Sequence, residues 1–172
     1  MAGFRAYIAA SLDGYISSPD GSIAWLKQFD ALDYGFNEFM DHVGTVVMGR
    51  TTYDHLHVLG HWPRTTKRCI VVTSRDMETA PDNVESWVGD IGRLVDDLRG
   101  STDGHVWVAG GAKAIRAFLD IGAIDHFDLL VMPVLLGEGK PLFINSDRVT
   151  RLSLLGSRTF SNGVVKLSYV VG

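Results

Sequence analysis

Three short stretches of this chain end an apolar run on the residue types that hold anions. In "VVMGRTTYDHL" the run stops at Gly49 and is followed by Arg50, Thr51 and Thr52; "IVVTSR" ends on Thr73, Ser74 and Arg75; "VWVAGGAK" ends on Gly110 and Gly111, with Ala112 next. A helix that starts after a strand leaves its first N–H groups without partners and carries partial positive charge, so it attracts anions, phosphate above all. Arginine forks match phosphate oxygens two at a time, and glycine lets backbone come close to a ligand. One such ending says little, because Thr51 or Thr52 can cap a helix, Ser74 can open a turn and Arg75 can be a solvated charge. Three of them, at the carboxyl ends of strands in an open α/β sheet, describe a site for several phosphates.

The elements that must carry these residues follow from hydrophobic period. Apolar runs predict strands over 4–10, 45–49, 69–75, 84–88, 106–109 and 126–136. Apolar residues three and four apart predict helices over 34–42, 51–59, 90–100 and 112–122, the last closed by Gly122. The segment "SLDGYISSPDGS" (11–22), with two Asp-Gly pairs and a Ser-Pro, reads as a loop, and Asn162-Gly163 between two alternating runs is a hairpin signal. Alternating β and α units call for a mostly parallel central sheet flanked by helices, and the terminal hairpin for an antiparallel edge.

Composition narrows the function classes. With 172 residues, 46% of them hydrophobic, the chain suits one domain with one core. Its net charge is −4 and its basic residues are scattered, which disfavours nucleic acid as a partner. No apolar stretch is long enough for a membrane span and no leader is evident, so the expected location is cytoplasmic. Cys69 is the single cysteine and reads as a small buried hydrophobe. His55 and His57 are two apart on a predicted helix and point to different faces, so no metal site is expected. Asp125 and Asp128 read as solvated strand-entry positions.

In the order and spacing of "AASLDGYIS", "VVMGRTTYDHL", "VVTSR", "VWVAGGAKAIRAFL" and "PVLLGEGKPLF", the chain resembles the dihydrofolate reductase-like superfamily. It is most similar to the reductase domain at the C-terminus of the bifunctional bacterial riboflavin-biosynthesis deaminase–reductase and its stand-alone relatives. The resemblance runs from Arg5 to about Val171 and implies a dihydrofolate reductase-like fold, NADPH as cofactor, hydride transfer to a small heterocyclic substrate, and a homodimer. It assigns Gly49, Arg50, Thr51 and Thr52 to the cofactor's phosphates, Thr73, Ser74 and Arg75 to the 2′-phosphate side, and Gly110, Gly111 and Ala112 to the pyrophosphate turn. It also implies that Ser11 to Trp25 form a lid, with Asp13 at its bend beside the substrate and Ile23 and Trp25 as apolar contacts.

Asp33 falls where true dihydrofolate reductases carry their substrate-binding carboxylate, although local pattern favours it as a cap of the helix near Tyr34. The deaminase half has no counterpart here, since one cysteine cannot supply its zinc site. Arg64, Lys67 and Arg68 are the basic residues available for a substrate phosphate, or else a solvated loop. Leu135, Leu136, Leu142 and Phe143 are too many for a free loop, so a second subunit is expected to cover some of them. A non-catalytic nucleotide-binding protein of the same fold is the alternative reading.

Overall fold

The computed structural model describes residues 1–58 and 66–172. The helix end expected near Leu59, together with His61 and Arg64, lies outside the described residues.

Ten strands and four α-helices follow one another along the described residues. They are β1 (Phe4–Ser11), β2 (Tyr15–Ser17), α1 (Phe36–Asp41), β3 (Val43–Gly49), α2 (Arg50–Val58), β4 (Arg68–Val72), β5 (Val84–Trp87), α3 (Ile91–Ser101), β6 (His105–Gly110), α4 (Ala112–Asp120), β7 (His126–Met132), β8 (Lys140–Pro141), β9 (Leu152–Thr159) and β10 (Val165–Val171). A 3₁₀ turn, Ala24–Phe29, precedes α1. Eight strands form one sheet in the order β5-β4-β3-β6-β1-β7-β10-β9, while β2 and β8 pair separately. The six strands from β5 to β7 run parallel, and β10 and β9 are antiparallel to their neighbours. This is the mostly parallel sheet with an antiparallel terminal hairpin that the periodicity calls for.

Helices cover the sheet on both faces because its central strands, β3 and β4 above all, are apolar on both. From one face Phe4, Ala6 and Val108 pack with Leu94 and Leu98 of α3 and Ile115 and Phe118 of α4. From the other, Tyr7, Val46 and Met48 pack with Phe39 of α1 and Tyr53 of α2. Asp90 caps α3, its carboxylate accepting the Arg93 N–H at 2.9 Å. Cys69 is fully buried, and burial pushes its thiol up to about 12, where no thiolate forms at neutral pH.

Several expected boundaries shift for local reasons. The strand expected over 126–136 ends at Met132, because Pro133 cannot donate to a ladder. The helix near Tyr34 begins two residues later, since Tyr34 and Gly35 both take left-handed backbone, with φ of 58° and 81°. The loop 11–22 contains β2, whose partner β8 comes from the "GEGKPLF" segment. A two-residue partner is too short to show as alternation. Asp128 is 2% exposed rather than solvated, and it pairs with Arg5 at 2.8 Å.

Candidate active site

The three anion-holding strand ends are neighbours. In the sheet order β4-β3-β6, the turn at Thr73, the Gly49–Arg50 junction and the Gly110–Gly111 junction line up along one carboxyl edge, with Met48 opposite Gly110. Helices α2 and α4 both start there, and no side chain among the described residues caps α4. The Gly110–Gly111 peptide is cis. Gly110 takes φ 130°, a conformation that favours glycine, whereas Gly111 has an ordinary φ of −75°. A Cβ on Gly111 would come within 3.1 Å of the Thr52 hydroxyl, which brings the two junctions into one concavity.

Among the basic groups of this edge, Arg50 Nε donates to both Asp54 oxygens at 2.9 and 3.1 Å, while its Nη1 is buried without a partner among the described residues. A buried guanidinium donor left unspent has a strong reason to accept an anionic ligand. Thr73 ties its own turn, donating its hydroxyl to the Arg75 carbonyl at 2.9 Å, and leaves Ser74 and the Arg75 side chain exposed. Lys67 and Arg68 lie at the opposite, amino edge of the sheet. There Lys67 Nζ donates to the Val43 carbonyl at 2.7 Å and Arg68 pairs with Glu85 at 2.7 Å, so they do not serve the carboxyl edge as the sequence allowed.

Beside this edge, over β6, β1 and β7, opens a cleft of about 450 Å³. Tyr7, Ile8, Asp33, Tyr34, Trp107 and Leu130 are among its walls. The two features share Ile8, whose Cδ1 lies 3.7 Å from where a Cβ on Gly110 would sit. Asp33 lines the cleft, and its carboxylate accepts the Asn37 N–H of α1 at 3.2 and 3.3 Å, the capping role that local pattern gives it. Tyr34, a non-glycine residue with φ 58°, holds a conformation that costs on the order of 1–3 kcal/mol. Hydrogen bonds fix it from three sides. Its carbonyl accepts the Tyr7 hydroxyl at 2.8 Å, its own hydroxyl donates to the Phe29 carbonyl at 2.5 Å, and Asn162 donates to that hydroxyl at 2.7 Å. Burial pushes the Tyr7 phenol well above its usual range, so it stays protonated and committed to Tyr34.

Neither Asp13 nor Trp25 is a wall of the cleft. Asp13 instead clasps the segment that follows β7, its carboxylate accepting the Leu136 N–H at 3.1 Å and the Gly137 N–H at 2.8 Å. The Ser11 hydroxyl, 2.5 Å away, and those amides hold the Asp13 carboxyl below the usual carboxylate range. The lid segment is thereby fastened at four points, with Leu12 N–H to the Val134 carbonyl, Leu142 N–H to the Gly14 carbonyl, the β2–β8 pairing and Asp13 itself. Trp25 packs against the Tyr7–Phe39 cluster, with its indole nitrogen buried and unpaired among the described residues. Tyr7, Tyr34, Trp107 and Leu130 are cleft walls that sequence reasoning missed. The one available signal is the alternation of "FRAYIAA", which sets Arg5, Tyr7 and Ala9 on a single face.

The family model for the RibD C-terminal domain matches residues 5–166. An uncharacterised Bacillus subtilis protein, YwjB, is 38% identical over 167 residues, 95% of each chain. A Shewanella sp. PV-4 structure, provisionally named for riboflavin biosynthesis, superposes with a TM-score of 0.89 at 27% identity, over 100% of this chain and 99% of that one. A Thermotoga maritima diaminohydroxyphosphoribosylaminopyrimidine deaminase/5-amino-6-(5-phosphoribosylamino)uracil reductase shares the fold with a TM-score of 0.75 at 19% identity, over 98% of this chain and 56% of that one.

Proposed function

Because the chain belongs to the RibD C-terminal domain family, we propose that it is an NADPH-dependent reductase acting on a small heterocycle of the pterin or ribosylaminopyrimidine type. The carrying observation is the shared wall at Ile8, where the phosphate-type turn at Gly110–Gly111 meets a cleft of about 450 Å³. A dinucleotide lying along the carboxyl edge would meet donors suited to each part. The α4 start and Thr52 face the pyrophosphate, and Arg50, Ser74 and Arg75 face the 2′-phosphate. The fit rests on the unspent Arg50 Nη1 and on the concavity that a Cβ at Gly111 would fill. When bound, NADPH supplies the hydride. The chain's own part is to orient and to exclude water: Tyr7, Trp107 and Leu130 wall the ring of the substrate, Asp33 offers a carboxylate to its polar edge, and the fastened lid keeps solvent from the gap.

The two arginines lead to a preference for NADPH over NADH. Replacing Arg50 or Arg75 with Met is expected to narrow that preference by about 1.5–3 kcal/mol, the worth of a charge-assisted contact. Fluorescence titration with both cofactors checks it, and equal affinities in the wild type would sink the reading. Tight NADPH binding with no oxidation in the presence of any pterin or pyrimidine would leave the non-catalytic alternative, a sensor of the same fold.

The reductase is taken to be one domain and to work in the cytoplasm; no described helix is long and apolar enough to cross a membrane. Its partner is a second copy. Leu142 is buried in the chain's own core, so it needs no partner, but Phe143 is 52% and Leu154 59% exposed. They continue one apolar row, since the Phe143 ring lies tilted against Phe127 with centroids 5.7 Å apart, and Phe127, Tyr169 and Leu154 are cross-strand neighbours. Light scattering at micromolar concentration is expected to give twice the chain mass, and Leu154→Glu to give the single mass.

A further inference from the structure

The amino edge of the sheet, opposite the candidate site, gathers imidazoles that the proposed reductase chemistry does not use. His42 closes α1, His105 opens β6 and His126 opens β7, and the parallel strands bring these separate positions to one edge. The His42 and His105 ring centroids are 6.5 Å apart, and the His105 N–H donates to the His42 carbonyl at 2.7 Å. His42 Nδ1 donates to the Glu38 carbonyl at 2.9 Å, which holds its ring in place. His126 is register partner to Arg5. His105 Nδ1 lies 3.2 Å from where a Cβ on Gly3 would sit, so this ring packs against the chain just before β1.

The carboxylates at this edge are already engaged. Asp125 accepts the Phe4 N–H at 2.7 Å and Arg99 Nη1, from α3, at 3.2 Å, while Asp128 accepts Arg5 at 2.8 Å and the Ser168 hydroxyl at 2.6 Å. Lys67 Nζ, on the Val43 carbonyl, adds a cation one residue from His42, and the acidic chain neighbours Asp41 and Asp103 are exposed. Burial, Arg5, His42 and His126 hold His105 below the usual histidine value, against the opposite pull of Asp125. A ring that the fold keeps neutral costs stability once protonated, so stability is full above about pH 6.5 and is lost as pH falls below it. Arg5 also links this edge to the cleft. Its guanidinium lies 5.4 Å from the Phe39 centroid, and Phe39 stacks at 4.8 Å on Tyr7, a cleft wall.

We propose that the amino edge is an acid-operated release: protonation of His105, beside Arg5, His42 and His126, loosens the start of β1 and with it the aromatic layer under the cleft. A proton from solvent is the one reactant. The added charge repels Arg5 and the neighbouring imidazoles where the start of β1 is held by few bonds, the Val106 N–H to the Gly3 carbonyl at 2.9 Å and the exchange between Phe4 and Asp125. The device is independent of what the cleft binds, and it acts from the edge remote from the proposed cofactor residues.

Histidine ring NMR and amide exchange on the whole chain, from about pH 7.5 to about pH 5.5, test this across the range where imidazoles titrate. The His105 ring is expected to titrate below an unfolded control, and His42→Gln and His126→Gln should each raise its midpoint. Protection of the Phe4, His105 and Val106 amides, corrected for intrinsic exchange, should fall roughly threefold or more as the pH drops. The Tyr7 and Phe39 ring signals should follow the same midpoint, and His105→Gln should abolish both effects. The His42 and His126 variants leave the contact with Gly3 intact, so they decide the matter even where His105→Gln folds poorly. A His105 ring that titrates at the unfolded value, a midpoint unmoved in both neighbour variants, an equal loss of protection in folded His105→Gln, or cleft rings that ignore the titration would overturn the proposal.

Discussion

Gly139→Ala is expected to release the lid, raising amide hydrogen exchange over Ser11–Ser17 at least tenfold and lowering reductase turnover by about 100-fold, the scale of a misplaced reacting geometry. Gly139 takes φ 146°, and a Cβ there would lie 2.1 Å from the Ser17 carbonyl oxygen and 3.2 Å from its carbon. Both are backbone atoms of a residue only 5% exposed, so neither can step aside as a flexible side chain would. The contact sits on the β2–β8 pairing, where Ser17 opposes Lys140. The strand pair must part, and the lid is left to the Asp13 clasp on Leu136 and Gly137 and to the backbone bonds Leu12–Val134 and Leu142–Gly14. The central sheet takes no part in the contact, so NADPH affinity should fall far less than turnover. Wild-type exchange over 11–17 in the variant would show that the lid does not depend on this contact.

Gly111→Ala separates binding from folding at the other end of the site. Its φ of −75° suits alanine, and the one close neighbour of the new Cβ is the Thr52 hydroxyl at 3.1 Å, which can move by a few tenths of an ångström. The structural cost is therefore small. The Cβ nevertheless fills the concavity between the starts of α2 and α4, where the pyrophosphate is proposed to lie. NADPH affinity should drop tenfold or more while the melting temperature stays close to wild type. Gly110→Ala should behave in the opposite way, because its φ of 130° strains any L side chain. A Gly111→Ala protein that is destabilised yet binds NADPH normally would remove the phosphate reading of this turn.

Local rules made much of this protein legible without coordinates. Strand-to-helix junctions at Gly49–Arg50 and Gly110–Gly111 follow from a change of hydrophobic period, and period is a property of consecutive residues. The turn at Asn162-Gly163 follows from a residue that tolerates φ 90°. With the β–α alternation these imply a parallel sheet, and a parallel sheet implies a carboxyl edge where such junctions gather. The cap at Asp33 follows from its position just before a helix, where its carboxylate accepts the Asn37 N–H.

What tertiary structure alone decided is which distant residues meet. Asp13 finds its acceptor-seeking amides 123 and 124 residues away, and nothing in the Asp-Gly bend marks it as a clasp rather than a wall of the cleft. Lys67 and Arg68 looked as available as any basic pair, until strand direction set them at the edge opposite the cleft. Tyr7 and Lys166, single letters in two unremarkable strands, become neighbours because β7 lies between β1 and β10, with register fixing Lys166 beside Leu130. Sequence period fixes which face a side chain takes along its own strand. The order and register of the strands fix its company, and they are set by the burial of both sheet faces at once, a sum over the whole chain that no local window contains.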